Sequence, residues 1–138
     1  MKYYLAYGSN LNKRQMKRRC PDAVPVGTVT IMDYELVFRS VATIEPRHGA
    51  SVQCGIWKIS AEDEKHLDDY EGFPWLYVKQ DFGVVVNEEA VQAMAYVMNT
   101  GIQPKSPPST EYLMTIMEGY EDFGLDDKPL TIAAAGRD

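Results

Sequence analysis

Apolar and polar positions alternate along this chain in runs that predict strands more often than helices. Residues 2–7, Lys-Tyr-Tyr-Leu-Ala-Tyr, form an apolar and aromatic run that predicts a strand ending at Gly8. Asn10 or Asn12 can then cap a short helix through about Arg19, which Pro21 helps to stop. Two β-rich runs follow, 23–31 and 34–40, with a tight turn predicted between them at Met32-Asp33. Another strand is predicted over 51–59, where Val52, Cys54 and Ile56 recur at period two and Trp57 is a further candidate for the apolar set.

Ser60 begins a second helix as its N-cap, with Asp63 at the capping-box position. Leu67 and Tyr70 lie three apart on one face of it, and it ends near Glu71-Gly72. The runs 76–86 and 90–98 flank Asn87-Glu88-Glu89 and predict a hairpin. Residues 100–109 hold Gly101, Pro104, Pro107 and Pro108 and read as a loop. Ser109 opens a third helix in which Tyr112, Leu113, Ile116, Met117 and Tyr120 repeat at helical period, and Gly124 can stop it. The tail 126–138 carries little pattern. About six strands against three helices, with the strands clustered in mid-chain, predict an α+β fold with a mixed, mostly antiparallel sheet and not a doubly wound one. No repeat or linker divides 1–138, so a single domain is expected.

A chain of 138 residues can close a core without staples, and 45% hydrophobic with 25% charged content is globular. Met1-Lys2 leads into no secretory h-region and no stretch reaches membrane-spanning length, so a cytoplasmic protein with no membrane partner is expected. In that setting Cys20 and Cys54 are expected as reduced thiols, with Cys54 buried in its apolar run. Two Cys and two His, scattered, show no zinc-ligand spacing, so no metal is expected. His48, in Pro46-Arg47-His48-Gly49, reads as a solvated residue of a polar loop. A net charge of −6 disfavours nucleic acid as a partner. Lys13, Arg14, Lys17, Arg18 and Arg19 crowd one segment, read as a solvated helix face and not a phosphate patch.

Two places carry candidate chemistry. Tyr7-Gly8-Ser9-Asn10-Leu11 leads from strand to helix, and successive N–H groups in such a turn make a concave donor site for a carboxylate or oxyanion. Gly8 permits close approach of a ligand, and Ser9 and Asn10 add side-chain donors. On the pentapeptide alone an ordinary turn with a helix cap is the simpler reading. The second place is Leu67-Asp68-Asp69-Tyr70-Glu71-Gly72-Phe73, three acids at a helix C-terminus where the dipole opposes their charge. Asp68 and Asp69 are expected to stay solvated. Glu71 adjoins Tyr70, Phe73, Pro74 and Trp75, a setting that desolvates a carboxyl and raises its pKa toward a proton-transfer range. A surface acid at a frayed helix end fits the same residues equally well.

Taken together, the segments resemble the γ-glutamylcyclotransferase family (AIG2-like, BtrG-like). Tyr7-Gly8-Ser9-Asn10-Leu11 matches its signature turn, Ser40-Val41-Ala42-Thr43-Ile44 and Gly55-Ile56-Trp57 resemble its next segments, and Tyr70-Glu71-Gly72 matches the segment of its catalytic glutamate. Tyr112-Leu113, Gly119 and Phe123-Gly124-Leu125 resemble its closing helix. The resemblance implies a small mixed β-barrel flanked by helices. It implies cyclisation of a γ-glutamyl amine or amino acid to 5-oxoproline without a cofactor, with Glu71 as acid and base. Tyr7, Gly8, Ser9, Asn10, Leu11 and Tyr112 are then the expected substrate-binding residues. Where the family often has arginine two residues after a tyrosine, Tyr77-Val78-Lys79 places lysine, a point charge instead of a planar fork. Removal of a γ-glutamyl protecting group, or a non-catalytic binding domain of the same fold, are the alternatives. Trp57 and Trp75 read as core or pocket wall; Tyr112 and Tyr120 can both line the pocket, with helix packing the expected role of at least one.

Overall fold

Strand β1, Lys2–Ala6, lies in the middle of a five-stranded sheet. Its last three residues are buried, as an apolar run with neighbours on both sides requires. β2 (Val24–Arg39), β3 (Val41–Ile59), β4 (Tyr77–Val86) and β5 (Glu89–Met98) complete the order β2-β3-β1-β5-β4. β1 runs antiparallel to β3, with Tyr4 opposite Trp57 and Ala6 opposite Gly55, and parallel to β5, with Tyr3 opposite Ala93. The other pairs, β2–β3 and β4–β5, are antiparallel. The helices are α1 (Lys13–Arg19), α2 (Ala61–Glu71), α3 (Thr110–Phe123) and α4 (Lys128–Ala134). The computed structural model describes residues 1–136.

The α+β class and the mixed, mostly antiparallel sheet are as the pattern predicts; the strand count is not. The runs at 23–31 and 34–40 are one strand, and no turn forms at Met32-Asp33. Asp33 instead takes a left-handed conformation, φ 64°, at a bulge between Met32 and Tyr34, and its carboxylate accepts the Gly49 N–H at 2.9 Å. The chain reverses later, at Ser40 with φ 68°. Pro46-Arg47-His48-Gly49 is accordingly strand and not loop, though His48 is fully exposed. Pro46 is tolerated because it pairs with Tyr34 beside the bulge, where the ladder is already interrupted.

The predicted hairpin is present, with Asn87 and Glu88 both at positive φ, the conformation that a two-residue turn of the favoured hand demands. The edges β2 and β4 approach each other through side chains, Gln80 donating to the Tyr34 hydroxyl at 2.8 Å and Tyr34 meeting Phe82 edge to face. No ladder joins these edges among the described residues, so the barrel curls without closing. A fourth helix, α4, stands where the tail gave no pattern, with Leu130 fully buried beneath it. Trp57 is core, whereas Trp75 is 80% exposed and belongs to neither core nor pocket wall.

Two glycines set where the turn after β1 lies. A Cβ on Gly55 of β3 would stand 2.8 Å from the Leu11 side chain and 2.7 Å from Phe123. A Cβ on Gly119 of α3 would stand 2.6 Å from Leu11 Cβ and 2.7 Å from the Asn12 backbone nitrogen. Gly119→Ala gains about 1 kcal/mol of helix propensity, but overpacking against backbone costs about 1–3 kcal/mol. The substitution therefore lowers the urea midpoint, by about 1 kcal/mol or more in stability. A midpoint equal to or above wild type would show that α3 is free to shift off the turn.

Candidate active site

β1 delivers Tyr7 and Gly8 into a single 3-10 turn, Ser9–Leu11. The Leu11 N–H donates to the Gly8 carbonyl and the Asn12 N–H to the Ser9 carbonyl, both at 3.0 Å. That leaves the amides of Gly8, Ser9 and Asn10 with no acceptor among the described residues. Asn12, not Asn10, caps α1: its side-chain Oδ1 accepts the Gln15 N–H, and its Nδ2 donates to the Thr115 carbonyl of α3, each at 3.0 Å. Asn10 is held on three sides. Its Nδ2 donates to the Tyr4 hydroxyl at 2.9 Å, its Oδ1 accepts Arg19 Nη1 at 2.5 Å, and its backbone carbonyl accepts Trp57 Nε1 at 3.0 Å.

Glu71 arrives from the other side as the last residue of α2. The capping box forms in both directions, Ser60 accepting the Asp63 N–H and Asp63 accepting the Ser60 N–H. Gly72 ends the helix in the left-handed conformation, φ 66°, and turns the chain toward β4. The carboxyl of Glu71 lines the same cleft as Gly8, Ser9 and Asn10. Burial pushes it from its ordinary 4.5 up to about 7, against a smaller downward pull from the Arg19 guanidinium. No hydrogen bond reaches that carboxyl among the described residues.

Five tyrosines, Tyr4, Tyr7, Tyr77, Tyr96 and Tyr112, form most of the remaining wall around a narrow cleft of about 20 Å³. Burial raises the pKa of every one of them, so all five are neutral phenols at physiological pH. Their hydroxyls are mostly committed: Tyr7 donates to the Tyr96 carbonyl, Tyr77 to the Ala42 carbonyl and Tyr96 to Asp68. The Tyr112 hydroxyl accepts the Ala42 N–H at 3.0 Å. A larger depression between the β2 and β4 edges, lined by Thr28, Val84, Val91 and their neighbours, holds no titratable side chain.

The expected substrate-binding residues are thus brought together, with one exception. Leu11 is fully buried in the core and its N–H is spent within the turn, so it supports the cleft from behind. Asp68 is not simply solvated; it accepts the Tyr96 hydroxyl at 2.6 Å and pairs with Lys79 at 3.0 Å. Lys79 also pairs with Glu64 at 2.7 Å, and it takes no part in the cleft wall. Tyr120 is core, while Tyr112 lines the cleft. Arg19 is the residue that the reading of a solvated helix face missed. The short α1 turns it back onto Asn10, and its guanidinium lies 3.6 Å from the centre of the Tyr70 ring. Tyr4, Tyr77, Tyr96 and Ala42 were also missed; for the tyrosines the signal is a hydroxyl that needs a partner in a buried strand.

Comparisons with known proteins bear on the family and the fold. Residues 4–118 match the family described as "Gamma-glutamyl cyclotransferase, AIG2-like". The chain is 28% identical over 136 residues to the human protein named gamma-glutamylcyclotransferase, covering 88% of this chain and 71% of that one. It is 29% identical over 136 residues to the bovine protein of the same name, with the same coverage of each. A solved structure titled "Gamma-glutamyl cyclotransferase" superposes with a TM-score of 0.83 at 26% identity, covering 96% of this chain and 86% of that one. YkqA from Bacillus subtilis shares the fold, with a TM-score of 0.82 at 18% identity over 99% of this chain and 55% of that one.

The raised carboxyl has a consequence for stability that needs no substrate. Unfolded, Glu71 loses its proton near 4.5; folded, it keeps it to about 7. Between those values the folded state binds more protons, so its stability falls as pH rises through that window and stays lowered above it. Glu71→Gln lacks this fall and melts above wild type at pH 8, with the gap closing at pH 4.5. Melting curves that stay parallel across the whole range would contradict a desolvated carboxyl.

Proposed function

The chain belongs to the γ-glutamyl cyclotransferase, AIG2-like family, and from that premise we propose that it cyclises a small γ-glutamyl amine or amino acid to 5-oxoproline with Glu71 as the proton carrier. One observation carries the reading: a desolvated carboxyl, raised to about 7, shares a cleft with three amide hydrogens that have no acceptor among the described residues.

The chemistry asks little else of the protein. The nucleophile is the substrate's own α-amine, tethered to the γ-carbonyl it attacks, so the cleft's first task is to hold the substrate curled in that geometry. Glu71, ionised, takes a proton from the attacking nitrogen as the new C–N bond closes the five-membered ring. It returns that proton to the leaving nitrogen as the old C–N bond breaks, and the carboxylate is regenerated. The N–H groups of Gly8, Ser9 and Asn10 are the donors for the substrate carboxylate and the oxygen that gains charge at the tetrahedral stage. A donor of that type is worth about 3–4 kcal/mol in the barrier. The tyrosine wall excludes water and stays uncharged, so no second group in it competes for the proton. Tyr112 closes the wall beside Gly8, its hydroxyl 3.7 Å from where a Gly8 Cβ would stand.

Incubation with γ-glutamyl amino acids and γ-glutamyl amines, followed by mass spectrometry, yields 5-oxoproline and the free amine. Glu71→Gln loses activity by about 10²–10⁴-fold. A Glu71→Gln enzyme as fast as wild type would remove the role assigned to the carboxylate, and a panel with no turnover would favour a binding domain. Because the ionised carboxyl is the active form, kcat/KM rises with pH through about 7 on its acid limb. Activity that already plateaus at pH 5 would assign the proton transfer to another group.

A further inference from the structure

We propose that Tyr4 is a catalytic residue whose hydroxyl donates to the substrate's γ-carbonyl oxygen as that oxygen gains charge. A chain of side-chain hydrogen bonds that begins at Arg19 aims the hydroxyl hydrogen into the cleft. The inference rests on the cyclotransferase reading and adds one side-chain donor to the three amides of the turn.

The direction of each bond in the chain is forced. An arginine can only donate, so the Asn10 atom that faces Arg19 Nη1 at 2.5 Å is Oδ1. The NH2 branch of the same amide therefore faces the Tyr4 hydroxyl, 2.9 Å away. An NH2 group can only donate as well, so the Tyr4 oxygen accepts. Its one hydrogen must point elsewhere, and it has no acceptor among the described residues.

That spare hydrogen sets Tyr4 apart within the tyrosine wall. Tyr7, Tyr77 and Tyr96 spend theirs on the Tyr96 carbonyl, the Ala42 carbonyl and Asp68. The Tyr112 hydroxyl has the Ser9 side chain as a partner. Tyr4 is only 4% exposed, and a buried donor without an acceptor is costly unless a ligand supplies one. The space it borders is the cleft that it lines with Glu71 and the turn. Its ring is held there edge to face against Tyr96, and its backbone lies opposite Trp57 on one side and Met94 on the other.

The neighbouring carboxyl identifies the oxygen that this donor serves. After burial itself, the charge of Glu71 does most to raise the Tyr4 phenol well above its ordinary range, so the two groups share one local field. A substrate carboxylate set at that spot is repelled by ionised Glu71. The γ-carbonyl oxygen is neutral when the substrate binds. It becomes negative only as Glu71 takes the proton from the attacking nitrogen, so negative charge passes from one group to the other beside the same hydroxyl. The Tyr4 proton stays on its own oxygen throughout, because a phenol so far from ionising donates a hydrogen bond and not a proton. A donor whose bond strengthens only at the tetrahedral stage acts on kcat and little on KM. An anchor for Asn10 and nothing more would act the other way: its loss would loosen the turn whose amides bind the substrate, and KM would rise.

The test is Tyr4→Phe, which removes one oxygen and keeps the ring, assayed on a γ-glutamyl amino acid that wild type converts to 5-oxoproline. Its kcat falls by about 10²-fold, with KM within about twofold of wild type. Asn10→Asp is the second variant. Paired with Arg19, an aspartate there offers Tyr4 an acceptor, so the hydroxyl turns out of the cleft with no atom of Tyr4 removed. On the alkaline plateau, where Glu71 is ionised in every variant, Asn10→Asp lowers kcat by about tenfold or more in wild type and by about twofold at most in Tyr4→Phe. Melting temperatures check that each variant folds. If Tyr4→Phe does not fold, Asn10→Asp alone decides, and a kcat equal to wild type's overturns the role of Tyr4. Tyr4→Phe with an unaltered kcat overturns it too and leaves the cyclotransferase reading intact. So does an Asn10→Asp penalty as large without the Tyr4 hydroxyl as with it. No 5-oxoproline from any γ-glutamyl substrate with wild type sinks the cyclotransferase reading, and the role of Tyr4 with it.

Discussion

Leu11 occupies a space that two missing side chains leave open. Gly55 on β3 and Gly119 on α3 each lack the atom that would collide with it, and the Leu11 side chain is fully buried between them. Burying a leucine contributes about 1.5–3 kcal/mol, but the geometric result matters more. With Leu11 pinned, the 3-10 turn cannot rotate, and the amides of Gly8, Ser9 and Asn10 keep one direction. Asn12 secures the same turn from the far side by capping α1 and bonding the Thr115 carbonyl. The close packing of β3, α3 and the turn thus aims the three donors, and the remainder of the cleft is arranged around them.

Glu71 is placed by a different device. The α2 helix carries Glu64 and Asp68 on the side facing the sheet, and both meet Lys79 of β4. Glu64 also pairs with Lys2 of β1 at 3.0 Å, and Asp68 receives the Tyr96 hydroxyl of β5. One helix is therefore tied by charge to three strands. These contacts are only partly exposed and share partners, so they orient more effectively than isolated surface pairs would. Lysine suffices at position 79 because its task is to gather two carboxylates on α2, which a point charge with three donors can do.

The turn and the acid that share the cleft were legible because their signals are local. Gly8-Ser9-Asn10 between a strand and a helix, and an acid before a helix-ending glycine, can be read from neighbours in sequence. Strand count was less legible. A bulge at Asp33 and a turn at Ser40 both use polar residues with positive φ, and only the register of β2 on β3 separates them. The helix at Lys128–Ala134 was invisible because its seven residues offer one deeply buried side chain, Leu130, too little for a period. Arg19 was misread for a related reason. A cluster of cations on a short helix looks like a solvated face unless the path of the preceding turn, which brings Asn10 back to it, is known.

The same residue connects the two devices. Arg19 bonds the side chain of Asn10 in the turn and stacks on Tyr70, one residue before Glu71. It is also the charge that opposes the rise of the Glu71 carboxyl. A full ion pair between Arg19 and Glu71 would hold the carboxyl well below neutrality and leave it a poor partner for an amine proton. Arg19 donates from Nη1 and Nη2 to Asn10 and Gln15 instead, and Glu71 feels its charge without a bond to it. The acid is kept between two failures: without any cation it would stay protonated at neutral pH, and with a bonded one it would not take up a proton at all. A carboxyl at about 7 follows from that spacing and from the dry tyrosine wall around it.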